Sequence, residues 1–372
     1  LLKISEIKMR VKVFGAGSIG NHLSNASRAM GWSVDLCDVN EAALVRTKNE
    51  IYPGRYGKWD ETIRLINNKD APKGEYDLIF IGTPPDSHIS LALEAVKEKP
   101  KAVLVEKPFC TPDMAGAQEL YDLAKDLGVA VFTGYDHVVG KASEKFSERV
   151  ASAPFGAVET LDVEFREFWG GIFAAHPWLS GPSDTYLGFW KRGGGASGEH
   201  SHAANLWQHF AHAAGAGRVV EVTANMEFVN DGKVDYDKLC ILTLRTETGL
   251  LGRVVQDVVT AAPRKWARLQ GENGYIEWEC AYRPGTDAVF EGAGAGHTSE
   301  LLFTKTRPDD FIQELRHIES SLKGDPWASP ISITRGLDTM LVIAAAHKSV
   351  AAKRTIHIDY SQGYTPAALK LA

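Results

Sequence analysis

The pattern of apolar positions along the chain changes near residue 138. Before it, short apolar runs such as 77–82 and 102–107 alternate with segments in which apolar residues recur every three or four positions, as over 87–99. Runs of the first kind are typical of buried parallel strands, and segments of the second kind are typical of the helices between them. Residues 1–138 are therefore predicted to form a doubly wound α/β domain.

Beyond that position the runs lengthen, and apolar residues alternate with polar ones, as over 158–168. This period of two predicts a large, open, mostly antiparallel sheet. Some runs, such as 237–244, are apolar on both alternating sets, so we expect another subunit to cover one face of the sheet. Residues 139–372 are predicted to be an α+β domain, with helices near 199–214, 309–322 and 335–352.

The sequence GAGSIG at 15–20 directly follows the mostly apolar run 11–14 and begins a helical segment that Gly31 ends. This succession of strand, turn and helix is the context in which such a motif binds a dinucleotide. The glycines permit the tight turn, the close approach of the pyrophosphate and close helix packing, and the phosphates lie on the helix N-terminus. The residues assigned to the cofactor here are Gly15, Gly17, Ser18, Ile19 and Gly20.

Asp38 ends the second predicted strand, roughly 20 residues after the motif, where a carboxylate accepts hydrogen bonds from the adenosine ribose. A carboxylate at this place would repel the extra phosphate of NADP. The next residues, Val39 and Asn40, supply no compensating cation. We therefore expect NAD, with NADP less favoured. The alternative is a structural strand and turn that bind no cofactor.

The composition excludes several other classes of protein. The 372 residues carry a net charge of −6 with the two signs interspersed, so there is no basic stripe for nucleic acid and no polybasic cluster for a membrane surface. No apolar run approaches the roughly 18 residues of a membrane span and no signal peptide is recognised, so we expect a cytoplasmic protein. The cysteines form no C-x-x-C pair and are expected to be reduced, mostly buried thiols.

Polar or glycine-rich segments follow three further strands of the first domain: GTPPDSH at 82–88, EKPF at 106–109 and GYDH at 134–137. Because ligands bind beyond the carboxyl ends of parallel strands, we expect these segments to meet the glycine motif at one crevice. We assign Thr83, Pro84, His88, Glu106 and Lys107 to the cofactor side, with a helix start as the alternative for His88, and Tyr135 and His137 to the substrate side.

Taken in order, these motifs resemble the glucose-fructose oxidoreductase and inositol dehydrogenase family (Gfo/Idh/MocA). The resemblance extends over nearly the whole chain, through the glycine turn 193–195, GENGYIEW at 271–278 and the last predicted helix. It implies a Rossmann domain joined to an open-sheet domain, NAD or NADP as cofactor, and oxidation or reduction of a sugar, a polyol or a related carbonyl. It also implies oligomerisation through the exposed sheet face, for which we expect a homodimer or homotetramer.

The resemblance assigns the catalytic proton transfer to Lys107. Oxidation of a secondary alcohol leaves a hydroxyl proton to remove, and a partly desolvated lysine beside a positively charged nicotinamide can serve as the base. A lysine before a proline at a strand end is otherwise usually a solvated surface residue. We also expect Lys107 to contact the substrate and Glu106 to organise the loop, and the resemblance implies a cis Lys107–Pro108 bond.

A second catalytic segment follows the glycine turn. The family pattern there is an aspartate and, four residues later, a histidine on one helical face. This chain has Glu199 and His202 in those places, three residues apart. Residues at i and i+3 still share a face, so we expect the two to act together. His200 is an alternative partner and a possible substrate ligand, as is His202; capping of a helix start is the other alternative for the segment.

A metal site has to be weighed here because His209 and His212 follow closely. His202 and His209 lie about two turns apart, and the segment contains neither an H-E-x-x-H motif nor a histidine pair at i, i+4. We therefore predict no metal ion, and we expect His209 and His212 to be core or interface residues.

Residues 167–192, named the insertion below, replace a short connection of the family with a segment rich in aromatic residues. Aromatic rings match the apolar C–H faces of sugars, so a carbohydrate-facing lid is one interpretation; an oligomer contact, which also favours aromatic residues and arginine, is the other. In the first domain, Val138 replaces the family's arginine, which weakens the case for a carboxylate or phosphate ligand there. The insertion residues assigned to the substrate are His176, Trp178, Trp190 and Arg192.

These observations predict an NAD-dependent dehydrogenase that acts on a sugar, a polyol or a derivative. One alternative is a glycosidase-like enzyme of the same fold, which uses tightly held NAD transiently and produces no net NADH. The other is a cofactor-binding regulatory protein without catalysis, against which the presence of Lys107 argues. The substrate pocket is built from loops that vary freely on one scaffold, so the identity of the sugar stays open.

Overall fold

A computed structural model describes residues 9–152, 154–174 and 178–372 of the chain. The first of its two sheets has six parallel strands in the order β3-β2-β1-β4-β5-β6. This is the order of a doubly wound dinucleotide-binding sheet and confirms the predicted fold class. The short strand β3 was not predicted because its side chains are only partly buried. The strands are β1 (Arg10–Phe14), β2 (Ser33–Asp38), β3 (Arg64–Asn67), β4 (Leu78–Ile81), β5 (Ala102–Val105) and β6 (Ala130–Thr133).

Helices connect these strands, and the two short ones between β2 and β3 were not predicted. The first helix of the chain buries Leu23 and Ala26 against the sheet and ends before Gly31, whose positive φ of 78° stops it. The predicted helical segments after β4 and β5 are confirmed. The helices are α1 (Ser18–Ala29), α2 (Glu41–Arg46), α3 (Tyr52–Tyr56), α4 (His88–Lys97) and α5 (Ala117–Leu127).

The second sheet has ten strands in the order β14-β13-β12-β11-β7-β10-β9-β8-β15-β16. Among the described strands β7 and β10 run parallel, with Val163 opposite Val254, and the other neighbours are antiparallel, as predicted for most of the sheet. The strands are β7 (Val158–Arg166), β8 (Val219–Asn230), β9 (Asp235–Thr246), β10 (Leu251–Asp257), β11 (Arg264–Gly271), β12 (Gly274–Arg283), β13 (Thr286–Ala293), β14 (Gly296–Thr304), β15 (Ile356–Ile358) and β16 (Leu369–Leu371).

Helices of the second part pack on one face of this sheet. On β9, Cys240, Leu242 and Leu244 are buried beneath them, whereas Ile241 and Thr243 are exposed on the other face. The helix over 141–151 was not predicted, and the helix predicted over 199–214 is divided into two. The helices are α6 (Lys141–Ala151), α7 (Trp169–Ala174), α8 (Gly195–Glu199), α9 (His202–Ala213), α10 (Arg307–Ser321) and α11 (Ile333–Ala352).

The two sheets are joined through elements that return to the first one. Thr133 at the end of β6 donates its backbone N–H to the carbonyl of Ile331, just before α11, at 2.8 Å. Helix α10 lies along α1, where the Phe311 ring stacks on His22 with centroids 4.6 Å apart. The boundary predicted between residues 138 and 139 falls inside the 3-10 turn Asp136–Val139 and stays a prediction.

Two further expectations concern single features of the chain. Within the described residues, no helix combines the length and the apolar character needed to cross a bilayer. The cysteines are unpaired, as expected: Cys37, Cys110 and Cys240 are buried and Cys280 is partly buried.

Candidate active site

The glycine turn after β1 has the shape that a dinucleotide requires. Gly15 adopts a positive φ of 96°, and a Cβ there would lie 2.7 Å from the Gly82 carbonyl oxygen. A Cβ on Gly20 would lie 1.7 Å from the Gly15 carbonyl oxygen, so close packing excludes any side chain. At Gly17, by contrast, a Cβ would meet no described atom within 4 Å. The turn is thus tightly packed at Gly15 and Gly20 and open at Gly17. The open side lies at the start of α1, where no described side chain caps the helix, and this arrangement fits a pyrophosphate.

Asp38 is fixed to this turn. One carboxylate oxygen accepts from the backbone N–H of Ala16 and the other from that of Asn40, both at 2.8 Å. The end of α2 approaches the same turn, because the Thr47 hydroxyl donates to the Ala16 carbonyl oxygen at 2.5 Å. Arg46, directly before Thr47, is a cation on this side that the sequence reasoning did not consider. Asp38 thus lies where an adenosine ribose would meet its carboxylate.

His88 begins α4, which is the helix start expected as the alternative for this residue. Its ring is fully buried, with Nε2 2.7 Å from the Thr83 carbonyl oxygen and Nδ1 3.0 Å from the Pro108 carbonyl oxygen. Burial lowers the pKa of this imidazole. Through these two contacts His88 connects the loop after β4 to the loop after β5. It therefore stabilises the loops that we assigned to the cofactor and does not itself line the cavity. Pro108 follows Lys107 through a cis peptide bond, as the resemblance implied.

Lys107 and Glu199 form the central pair of the site. The Lys107 Nζ lies 3.0 Å from Glu199 Oε2 and also donates to the Glu199 backbone carbonyl at 3.0 Å. Both side chains are mostly buried. Burial works against ionisation of Glu199, but the nearby Lys107 ammonium keeps the pKa of that carboxyl below its ordinary value. The structure therefore brings together two of the three residues predicted to be catalytic.

The expected pairing of Glu199 with His202 on one helical face is not formed. Helix α8 ends at Glu199 and α9 begins at His202, so the two residues belong to different helices. The break has a visible cause: the His200 carbonyl accepts from the side chain of Gln256 on β10 at 2.5 Å and from the Ala203 backbone at 2.8 Å. His202 turns to the segment after β6 instead.

There His202 Nδ1 lies 3.8 Å from Asp136 Oδ1, and its ring meets that of His137 with centroids 4.7 Å apart. Burial lowers the pKa of both imidazoles, and Lys265 and nearby cations act in the same direction on His137. Among the described residues, Asp136, His137 and His202 form a group whose ligand atoms all lie within 4.8 Å of one another. The prediction of no metal site considered the 199–212 segment alone and so did not include this group.

The other alternative residue, His200, also faces the site. It is buried, and its Nε2 has no hydrogen-bond partner among the described residues. Burial lowers the pKa of His200 to about 4, although the Glu199 carboxylate acts in the opposite direction. His200 is therefore a neutral group beside the Lys107–Glu199 pair, and the choice between His200 and His202 stays open.

Glu106 lies behind the site, as the expected role in organising the loop requires. It is almost fully buried, and its carboxyl group lies so close to Gly134 that a Cβ there would be 2.7 Å from its Cδ. Its Oε2 accepts from the Lys107 backbone N–H at 3.3 Å. Burial and the charge of Asp136 raise the pKa of Glu106 to about 8.

These side chains face a cavity of about 520 Å³ between the two sheets. At one end it begins at Ser18 and Ile19 on α1, which places the start of α1 and Lys107 on the same space. At the other end it is lined by cations that the sequence reasoning missed, because they come from β11, the end of β14 and the start of α10, far from any motif. These cations are Lys265, Lys305 and Arg307.

Other residues assigned to the substrate lie away from the cavity lining. Tyr135 is fully buried behind His202, with ring centroids 5.5 Å apart. Trp178 lies against Arg46 at 5.3 Å, and Trp190 stacks on His347 at 4.4 Å. The insertion lines the cavity with Gly171 and Ile172 instead. Arg192 pairs with Asp86 at 2.7 Å, and His176 lies outside the described residues.

Comparison with known proteins places this geometry in a class. Residues 9–135 match the family model GFO_IDH_MocA, described as "Oxidoreductase family, NAD-binding Rossmann fold". The resemblance predicted from the motifs is thereby confirmed, and residues 9–135 match the NAD-binding Rossmann fold of this oxidoreductase family. No curated protein matches the chain.

Solved structures share the fold over most of the chain. The aldose-aldose oxidoreductase from Caulobacter crescentus, complexed with glycerol, has a TM-score of 0.73 at 17% identity over 94% of this chain and 100% of that one. Levoglucosan dehydrogenase, in complex with NADH and levoglucosan, has a TM-score of 0.74 at 14% identity over 94% and 99%. The WlbA dehydrogenase from Bordetella pertussis, in complex with NADH and UDP-GlcNAcA, has a TM-score of 0.69 at 18% identity over 94% and 99%. At these identities the likeness shows the fold.

Proposed function

We propose that the protein is an NAD-dependent oxidoreductase that transfers hydride between the cofactor and a hydroxyl or carbonyl carbon of a sugar, a polyol or a sugar derivative. The observation that carries the proposal is the Lys107–Glu199 pair, with Nζ and Oε2 3.0 Å apart, in a cavity that begins at Ser18 on α1. A titratable pair beside a dinucleotide-binding turn is the arrangement that alcohol and carbonyl chemistry needs.

The chain's own residues supply the proton chemistry. Bound NAD supplies the hydride acceptor or donor. In the reducing direction Lys107 Nζ donates a proton to the carbonyl oxygen, and in the oxidising direction the same nitrogen accepts the hydroxyl proton. Glu199 holds Nζ at 3.0 Å and fixes its direction into the cavity. His200 or His202, both on the cavity wall, would position the reacting hydroxyl.

NAD is the proposed cofactor in preference to NADP. The Asp38 carboxylate already accepts two backbone N–H groups, which fixes its negative charge at the end of β2. A phosphate on the adjacent ribose would be brought against that charge without water between them, and like charges brought together in this way cost several kcal/mol. Arg46 would offset this repulsion only if it turned from Trp178 toward the ribose.

The substrate class is proposed from the cavity and from the relatives' ligands. NADH and levoglucosan are bound by one structural neighbour, and NADH and UDP-GlcNAcA by another. In this chain, cations and carboxylates line the cavity in ion pairs such as Lys265–Glu167 at 3.2 Å. Paired charges of both signs suit a substrate with many hydroxyl groups, and sugar acids and nucleotide sugars belong in the same test.

The test is a screen for NADH formation with NAD and a panel of sugars, polyols, sugar acids and nucleotide sugars, on the wild type and on Lys107→Ala. Substrate-dependent NADH from the wild type, strongly reduced in the variant, supports the proposal. Cleavage of a glycoside without net NADH would favour the glycosidase-like alternative. Tight NAD binding with no turnover of any member of the panel would favour the regulatory protein.

A homodimer or homotetramer is proposed as the assembly. Exposed apolar side chains lie on the open face of the second sheet, with Ile241 and Leu251 on the adjacent strands β9 and β10. Covering such a face with a second copy removes apolar surface from water. Light scattering at micromolar concentration should give a mass at least twice that of the chain, and a monomer with or without NAD would contradict the proposal.

A further inference from the structure

Asp136, His137 and His202 bring three potential metal ligands to one point of the cavity. Asp136 and His137 begin the 3-10 turn after β6, and His202 begins α9 after the break at His200. One ligand atom from each of the three residues lies within 4.8 Å of the other two. The group is thus assembled from two segments that are far apart in the sequence, and it is separate from the Lys107–Glu199 pair.

Two atoms of this group are buried without a hydrogen bond. Asp136 is more than nine-tenths buried, and its Oδ1 and the His202 Nδ1 have no hydrogen-bond partner among the described residues. They lie 3.8 Å apart, which is beyond hydrogen-bond distance. Buried polar atoms are nearly always paired, so an unpaired carboxylate oxygen beside an unpaired imidazole nitrogen calls for a ligand that both can bind.

The charges around the group leave that carboxylate oxygen available. Asp136 uses its other oxygen, Oδ2, toward Arg307 at 3.5 Å. Lys305 lies between Asp287 and Asp310 at 2.7 Å from each, so carboxylates of its own compensate its charge. Arg307 also lies 3.4 Å from Asp310 Oδ2, so both cations have a carboxylate partner outside the group.

We propose that Asp136, His137 and His202 bind a divalent transition metal ion such as Zn²⁺, with the remaining coordination position open to the cavity. Two imidazoles and one carboxylate form a ligand set that such ions favour, whereas Mg²⁺ and Ca²⁺ prefer oxygen ligands alone. Three protein ligands with one open position is the arrangement of a catalytic zinc site. This inference goes beyond the proposed function, because neither the cofactor nor Lys107 is needed for binding.

The observed separations are close to those of a formed site. Zinc bonds of about 2.0–2.2 Å in tetrahedral geometry put ligand atoms roughly 3.4 Å apart. The 3.8 Å between Asp136 Oδ1 and His202 Nδ1 is near this value. The most distant pair, within 4.8 Å, needs a contraction of at most about 1.4 Å, which rotation of side chains at a turn and a helix start can supply.

The experiment uses the full chain, freed of metal with a chelator and titrated with ZnCl₂ in a calorimeter without NAD or substrate. We expect one Zn²⁺ per chain, and MgCl₂ should give no comparable binding. His137→Gln and Asp136→Asn should each weaken Zn²⁺ binding more than 10-fold, since even residues outside the ligand set contribute about 10–100-fold. His212→Gln, on the same helix α9 but outside the cavity, is the matched control and should bind as the wild type does.

Two results would overturn the site: absence of stoichiometric Zn²⁺ binding by the wild type, and wild-type affinity in both His137→Gln and Asp136→Asn. If a variant fails to fold, X-ray absorption of the zinc-loaded wild type decides, because it must show two imidazole ligands, and a shell of water oxygens alone would contradict the proposal. Since the readout is metal binding alone, a negative result leaves the proposed dehydrogenase untouched. Loss of NADH formation, conversely, would not affect the metal site.

Discussion

Two walls of the same cavity are built in the same way and differ in how their charges are satisfied. Each joins a loop at the end of a strand of the first sheet to the segment around residue 200: Lys107 after β5 meets Glu199, and Asp136 after β6 meets His202. The first, named the lysine wall, consists of Lys107 and Glu199, whose charged groups lie 3.0 Å apart. The second, named the histidine wall, consists of Asp136 and His202. Asp136 Oδ1 and His202 Nδ1 lie 3.8 Å apart, and neither atom has a hydrogen-bond partner among the described residues.

This difference separates two kinds of chemistry. An ion pair holds a proton-transfer group in a fixed direction. Substitution of either residue of the pair should therefore lower the turnover rate more than the affinity for the substrate. Unpaired buried polar atoms gain a hydrogen bond or a coordination bond when a ligand binds. The residues that carry them should therefore contribute mainly to the binding of a substrate oxygen or an ion. Substitutions on the two walls should therefore change different quantities.

The largest effect is expected from Lys107→Ala. Removal of the proton-transfer group should lower turnover about 100-fold or more and leave NAD affinity nearly unchanged. Steady-state kinetics on a substrate from the screen, together with calorimetry for NAD, measures both. Full activity in the variant would remove the lysine wall from catalysis and favour the regulatory alternative.

A smaller loss is expected from Glu199→Gln. Glutamine keeps the size and can accept from Lys107 Nζ, but it removes the charge that holds the ammonium, so turnover should fall by about 10-fold and the pH profile should shift. His202→Ala, on the other wall, should lower turnover less than Lys107→Ala and should raise the Michaelis constant more than Glu199→Gln does. Equal effects of both substitutions on both constants would contradict the distinction between the walls.

Asp38 belongs to neither wall, so Asp38→Ala should change the affinity for the cofactor and leave the two walls intact. Loss of the carboxylate should weaken NAD and relieve the repulsion of NADP, so the preference for NAD should narrow by several-fold. Calorimetry with both dinucleotides gives the ratio, and turnover at saturating NAD serves as the control, because it should stay near that of the wild type. Equal affinities for NAD and NADP in the unmodified protein would refute the assignment.

The smallest effect concerns Asp237, which supports α8 and so the wall that carries Glu199. It is fully buried, and it accepts from the backbone and the hydroxyl of Ser197 at 2.7 and 3.1 Å. Burial raises the pKa of Asp237 from 3.8 to about 7. Because the folded protein binds this proton more tightly than the unfolded chain, the contribution of Asp237 to stability falls as the pH rises through that interval.

Asp237→Asn should therefore gain on the wild type as the pH rises, with a difference in melting temperature that is a few degrees larger at pH 8 than at pH 5, in thermal unfolding followed by circular dichroism. Asp231→Asn is the matched control, because that carboxyl is exposed and accepts from Lys233 and Val234. It should give no gain at pH 8. A gain for the control, or none for Asp237→Asn, would show that the buried carboxyl does not oppose folding at high pH.

The sequence predicted what short segments determine on their own. The glycine turn, the doubly wound class of the first sheet and the place of Lys107 after a strand follow from patterns within short segments. The pairing of His202 did not, because the helix breaks where Gln256, far away on β10, donates to the His200 carbonyl. Lys305 and Arg307 were missed for the same reason, since no local pattern indicates that a strand end and a helix start reach the cavity.

The aromatic residues of the insertion show the limit of composition as a guide. Tryptophans in a long connection predicted either a sugar lid or an oligomer contact, and within the chain Trp190 packs on His347 and Trp178 against Arg46. An aromatic side chain gains much from burying its area against any suitable neighbour, so its presence does not specify the partner. The part of the insertion that lines the cavity, Gly171 and Ile172, has no distinctive composition.

The Lys107–Glu199 contact joins residues 92 positions apart, one in the loop after β5 of the first sheet and one at the end of α8, which packs on β9 of the second sheet. Neither sheet alone carries both halves of the acid–base pair, so a gene fragment for the first sheet would encode a dinucleotide binder and one for the second sheet a scaffold without chemistry. If Lys107 and Glu199 act as proposed, a protein with the second sheet of a relative would keep the cofactor site but would need an acidic residue in the place of Glu199. A new substrate specificity obtained in this way would therefore still require one carboxylate, in the place of Glu199.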